Sequence, residues 1–157
     1  VIRCLILHKL GGLYVDMDYE CTENITPLFY GVTCGMGMEP FGHSVRSRSP
    51  FIVGNAFMAS VPGHPFMQQL IDTIFYQLDA KTIHGNVLHS TGPFMVTKQY
   101  QESNFQDIIT LIPAELVAPL TQEEVIDVIG GRTNNVLEEK IERAYAIHYF
   151  FGSWYTP

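Results

Sequence analysis

The stretch that most constrains this chain is Gly11-Gly12-Leu13-Tyr14-Val15-Asp16-Met17-Asp18. Leu13, Val15 and Met17 alternate with Tyr14, Asp16 and Asp18, and a period of two predicts a strand. On a strand the two carboxylates share a side. Two like charges that close need water or a counter-charge. A solvated strand end provides the first. A hard divalent cation, Mn²⁺ or Mg²⁺, provides the second, since it takes a few carboxylate oxygens and leaves positions for phosphate or water. Apolar residues at 1, 2, 5, 6, 7 and 10 predict a helix over residues 1–10 with one apolar side. Gly11-Gly12 then turns the backbone out of it. Helix, tight turn, strand and a carboxylate pair at the strand's exit is a binding geometry of open α/β sheets.

The rest of the chain adds strands and helices in alternation. Residues 33–39 and 51–60 read as strands. Residues 66–78 place apolar side chains at 66, 67, 70, 71, 74, 75 and 78, the pattern of an amphipathic helix. Residues 95–102 predict another helix with Thr91 as its cap, and 108–113 a buried strand. Residues 122–129 form a helix capped by Thr121 with Glu124 in the capping-box position, and Gly130-Gly131 stops it. Residues 137–143 make a charged helix, and 144–148 a last strand ending at His148. Residues 40–50, rich in Ser, Arg and Gly between prolines, read as a loop. Asn55 is the one strongly polar residue in its strand, and it is either a paired core amide or a ligand contact. His148 is likewise either a core histidine or a ligand.

Composition narrows the function. The 157 residues are 46% hydrophobic and 16% charged, enough for the core of one domain. The net charge of −7, with no Lys/Arg cluster, argues against a nucleic-acid partner. Cys4, Cys21 and Cys34 are odd in number and lack metal-ligand spacing, so they are expected to be small buried hydrophobes in a reducing compartment. No apolar run reaches the roughly 18 residues of a membrane span. Asn24-Ile25-Thr26 matches a glycosylation sequon, expected to be idle here.

Arg3, seven residues, then Gly11-Gly12-x-Tyr14-x-Asp16-x-Asp18 resembles the sugar-binding segment of the DXD glycosyltransferases. The resemblance is to family 32, which includes initiating α-1,6-mannosyltransferases, inositol-phosphoceramide mannosyltransferases and capsular polysaccharide transferases. Asn55 to Phe66 is similar to a second block of that family, Thr91-Gly92-Pro93 to a third, and Ala146-x-His148 with Gly152-Ser153-Trp154 to its closing block. One position departs from the pattern: Phe150 stands where many relatives carry Trp.

The resemblance implies a GT-A-type α/β fold, a Rossmann-like mixed sheet flanked by helices. In the family an acidic residue precedes the arginine by three positions, and the first nucleotide-binding strands come earlier still. Residues 1–157 are therefore expected to be an N-terminally truncated catalytic domain. The implied reaction moves a hexose from a UDP- or GDP-sugar to a hydroxyl of a glycan or glycolipid, with retention at the anomeric carbon. Arg3, Asp16 and Asp18 are the implied catalytic residues. Asp16, Asp18 and His148 are the implied Mn²⁺ or Mg²⁺ ligands. Tyr14, Asn55, Gly92, Ser153 and Trp154, with Arg3 and Asp16, are the implied donor contacts. The expected location is cytoplasmic or membrane-associated, or the Golgi lumen if a longer eukaryotic form carries an anchor. Two other readings of the carboxylate pair stay open: a non-catalytic carbohydrate- or partner-binding fragment, and a metal-dependent phosphoesterase.

Overall fold

The computed structural model describes residues 1–81 and 86–152. The elements run in order α1 (Ile2–Leu10), β1 (Gly12–Val15), β2 (Tyr19–Cys21), β3 (Cys34–Met38), α2 (Phe41–Arg46), β4 (Val53–Ser60) and α3 (Pro65–Asp79). There follow α4 (Val87–Ser90), α5 (Pro93–Glu102), β5 (Thr110–Ile112), α6 (Ala114–Val117), α7 (Gln122–Ile129), α8 (Asn135–Glu142) and β6 (Ala146–His148). The main sheet is mixed, in the order β1-β4-β3-β5. β4 is antiparallel to both neighbours, and β3 runs parallel to β5. A separate ribbon pairs β2 with β6, placing Tyr19 opposite His148.

β4 is central and buried almost throughout, which explains its largely apolar sequence. Its partly exposed residue is Asn55. The main core is built by α1, α3 and α5 against the sheet: Phe66, Met67, Leu70 and Ile74 of α3 meet Met36, Met58, Met95 and Val96. Burying each such side chain is worth about 1.5–3 kcal/mol. α3 starts where predicted because His64 caps it, its Nδ1 accepting the Phe66 N–H at 3.2 Å, and because Pro65 occupies the first helical position. The Thr121/Glu124 capping box on α7 also forms as read. Burial pushes the Glu124 carboxyl up. The Lys140 ammonium and the Thr121 amide outweigh it, so the net shift is downward.

Several expectations need correction. The strand after Gly12 ends at Val15, not at Asp18. Asp16 keeps one bond to the sheet, its N–H donating to the Ala56 carbonyl, and the Tyr19 N–H then closes a turn on the Asp16 carbonyl. That turn releases Tyr19–Cys21 to pair with β6. Leu13 and Val15 lie on the exposed side of an edge strand rather than in the core, and Met17 is exposed in the turn that follows. α1 buries only Cys4 and Leu7. Ile2, Leu5, Ile6 and Leu10 are exposed, because its apolar residues spread over more than the face that meets α3. Phe75 and Leu78 are similarly outside the core.

Residues 41–46 form a helix where a loop was expected, entered through Pro40 and bridged by the Glu39–His43 contact. Thr91 does not cap α5. Gly92 occupies the N-cap, and Asn86 caps the short α4 ahead of it. The strand expected over 108–113 shortens to Thr110–Ile112 after a turn of 3₁₀ helix at Gln106–Ile108. Cys21, expected to be buried, is exposed at the end of the β2–β6 ribbon, while Cys4 and Cys34 are buried and all three are free. Among the described residues no helix is long and apolar enough to cross a membrane.

Candidate functional site

The Gly11-Gly12 turn locks α1 onto β1. Gly11 has φ +69°, and a Cβ there would sit 2.7 Å from Pro62 Cδ and 2.9 Å from the Ser60 carbonyl. Only glycine satisfies both the left-handed backbone and the close approach. The turn aims Arg3 of α1 across the end of β1. Its Nη1 lies 3.2 Å from Asp16 Oδ1 and also donates to the Asn55 carbonyl. The guanidinium sits over the Tyr14 ring at 4.7 Å. The Tyr14 hydroxyl donates to the same Asp16 oxygen at 2.6 Å. Burial, then that bond, pushes the Tyr14 hydroxyl up to about 12, so it remains a donor at neutral pH. Asp16 Oδ1 is thus held by two groups, Arg3 and Tyr14. Asn55 completes the group, its amide donating to the Thr91 carbonyl at 3.2 Å and so fastening β4 to the corner before α5.

Asp18 reaches the same point from the turn. Its backbone carbonyl accepts the Tyr149 N–H and its Oδ2 accepts the Phe151 N–H at 3.0 Å, which ties the end of the described chain to the carboxylate segment. His148 Nε2 lies 3.3 Å from Asp18 Oδ1. The imidazole is buried, stacked on Tyr19 at 4.3 Å and packed on Phe150 at 3.9 Å. Tyr19 in turn packs on Phe57, which can lie against β3 because Gly37 has no Cβ to meet it: one there would be 3.0 Å from the Phe57 Cβ. Burial lowers the pKa of His148, and the charges of Asp18, Glu39 and Asp16 oppose this without reversing it. An imidazole whose charged form is disfavoured by burial, together with two carboxylates, is a set of donors suited to a divalent cation.

One atom each from Asp16, Asp18 and His148 lies within 4.8 Å of the other two. His148 is separated from the carboxylates by most of the chain, yet the β2–β6 register delivers it opposite Tyr19, next to Asp18. Asp16 opens onto a cleft with two lobes. One, about 270 Å³, is walled by Arg3, Asn55, Thr91 and Gly92. The other, about 280 Å³, includes Glu39, His43, Phe94, His148 and Phe150. The residues predicted from the sequence therefore converge: Arg3, Tyr14, Asp16, Asp18, Asn55, Gly92 and His148 all border this cleft or touch one another across it. Ser153 and Trp154 lie outside the described residues.

Sequence reasoning missed Glu39 and His43, whereas Phe150 was singled out within the closing block. The four-residue spacing of Glu39 and His43 was visible, but a stretch read as loop gives such a spacing no meaning.

These features define a class: a cleft with a cation-ready cluster of donors and an arginine at one end. The chain is similar to inositol phosphoceramide mannosyltransferase 3 of Schizosaccharomyces pombe, 30% identical over 98 residues, 62% of this chain and 25% of that protein. It is similar to the mannosyl phosphorylinositol ceramide synthases CSH1 and SUR1 of Saccharomyces cerevisiae. The identities are 33% over 104 residues and 32% over 108, in each case 64% of this chain and 25% of the relative. The chain spans about a quarter of the length of the curated relatives it matches. No family model matches it.

Proposed function

We propose that this chain carries the donor-handling centre of a metal-dependent hexosyltransferase. It would transfer a hexose, mannose by similarity, from a nucleoside-diphosphate sugar to a hydroxyl of a glycolipid, with retention at the anomeric carbon. The relatives' names supply the acceptor class, an inositol phosphoceramide. The observation that carries the reading is the convergence of Asp16, Asp18 and His148 beside Arg3.

Breaking the bond between an anomeric carbon and a diphosphate leaves negative charge on the departing phosphate. Groups that stabilise that charge as it develops lower the barrier. Asp16, Asp18 and His148 would hold Mn²⁺ or Mg²⁺, whose chemistry is to neutralise the diphosphate as it leaves. Arg3 adds a fixed cationic fork, held in place by Asp16, the Asn55 carbonyl and the Tyr14 ring. Asp16, held on Oδ1 by Tyr14 and Arg3, has its other oxygen for the cation directly, or for a sugar or ribose hydroxyl with the cation reached through water. The Asn55 side chain and the Thr91-Gly92 corner wall the adjoining lobe, where the hexose would lie. No side chain on the cleft is assigned as a nucleophile.

The test is incubation of the full-length protein with Mn²⁺ and a panel of nucleoside-diphosphate sugars, following nucleoside diphosphate release. Release with one or a few donors, abolished by chelator and by Asp18→Asn, supports the transferase. Hydrolysis of simple phosphoesters instead would assign the carboxylates to a phosphoesterase. Sugar binding that ignores chelator and Asp18→Asn would make this a binding module.

A further inference from the structure

Asp16 and Asn55 stand between the two lobes of the cleft and border both. The Arg3 lobe suits the donor. The Glu39 lobe, on the far side of Asp16, has chemistry of its own.

His43 Nε2 accepts the Gln122 backbone N–H at 3.1 Å. A ring nitrogen that accepts carries no proton, so the neutral imidazole has its proton on Nδ1. Nδ1 therefore donates to Glu39 Oε2, 3.0 Å away. The amide at the start of α7 thus fixes the tautomer of His43, and His43 fixes the rotamer of Glu39. No other hydrogen bond to the Glu39 carboxylate forms among the described residues, and its side chain is 20% exposed on the cavity wall. An ionised carboxylate only accepts, so a half-buried one with free lone pairs is a receptor for hydroxyl donors.

Phe150 supplies an apolar surface beside it. Its φ of +49° is rare for a bulky residue. The ring is held in that conformation edge-on to His43 at 4.7 Å and against His148 at 3.9 Å. It bridges the Glu39–His43 pair and the cluster of Asp16, Asp18 and His148. A carboxylate beside an aromatic ring matches a cyclic polyol, whose C–H face is apolar and whose rim is a row of hydroxyls.

We propose that Glu39, oriented by His43, binds the vicinal hydroxyls of the acceptor ring and sets acceptor specificity, with Phe150 packing against that ring. This inference rests on the transferase reading and assigns the acceptor to the second lobe. The shared chemistry is a cyclic vicinal diol, which an inositol ring and a hexose both offer. myo-Inositol 1-phosphate and methyl α-mannopyranoside separate the two sources as soluble acceptors.

The experiment uses the full-length protein with Mn²⁺ and a donor that the wild type hydrolyses, and compares wild type, Glu39→Gln and Glu39→Asp. It measures the acceptor KM and the partition of consumed donor between transfer and hydrolysis. Loss of a charge-assisted hydrogen bond predicts an acceptor KM about tenfold or more higher in Glu39→Gln and a partition shifted toward hydrolysis by a similar factor. Glu39→Asp recovers part of both. A rise for one polyol and not the other names the source, and either supports the assignment. An unchanged partition, with transfer and hydrolysis falling together, overturns it. Saturation-transfer NMR with the same two polyols and Mg²⁺ decides the matter without turnover. Binding by wild type that Glu39→Gln loses supports the assignment, and equal binding or none overturns it. Absence of donor hydrolysis in the wild type would instead remove the transferase reading, leaving the NMR result to judge Glu39 alone.

Discussion

Replacing Asp18 by Asn keeps the shape of the side chain and removes one charge from the donor cluster. The three candidate ligand atoms lie within 4.8 Å of one another, so some point lies within about 2.8 Å of all three. Between a divalent cation and one carboxylate at that distance, the Coulomb energy is about 3 kcal/mol even at the dielectric constant of bulk water. At 1.4 kcal/mol per decade that is about a hundredfold in Kd. Asp18 is only 21% exposed, so a loss on the order of a hundredfold is the expected scale. The assay is Mn²⁺ titration followed by the electron paramagnetic resonance of the free aquo ion, with no donor present. Asp72→Asn, on an exposed turn of α3 where the carboxylate accepts from Gln68, is the control and should match wild type. The Phe151 N–H loses its charged acceptor in Asp18→Asn, so thermal melts of all three proteins check that the end of the chain still docks. A folded Asp18→Asn protein that binds Mn²⁺ within threefold of wild type would sink the proposed cation site.

Other outcomes follow from the same geometry. Arg3→Lys keeps the charge but not the fork that spans Asp16 and the Asn55 carbonyl, so donor kcat/KM should fall roughly 10- to 100-fold, the worth of one charge-assisted bond; an unchanged value would make Arg3 a surface residue. Gly11→Ala should lower stability by at least about 1 kcal/mol, since it forces a left-handed backbone and a 2.7 Å contact with Pro62, and a denaturant melt that does not shift would refute the tight corner. Burial lowers the pKa of His64, with the Ile108 backbone opposing. A pKa lower in the folded than in the unfolded state means that the unfolded chain takes up the proton first. The stability due to neutral His64 is present above the unfolded value of about 6.5 and is lost as pH falls through the folded one. His64→Asn keeps a capping acceptor for the Phe66 N–H and removes this titration. Its loss of stability between pH 7.5 and 5 should be smaller than that of wild type, and equal losses would exclude His64 as a source of acid sensitivity.

What the sequence determined alone was local. The α3 pattern, the Thr121 capping box and the Gly11-Gly12 corner each follow from interactions a few residues long, and each forms where read. The motif residues could be named because glycine, arginine and paired carboxylates at fixed spacing are uncommon together. The structure decided how the carboxylates meet. Strand periodicity put Asp16 and Asp18 on one pleated face, whereas a turn closed by the Tyr19 N–H brings them together, because residues 19–21 gain a second partner in β6. Register between strands more than 120 residues apart is a tertiary matter, so no local pattern could place His148 beside Asp18. The same holds for Glu39 and His43: the Gln122 amide that fixes the imidazole comes from a helix 79 residues away. Chemistry made of side chains remote in sequence is specified by packing, and only the folded chain shows it.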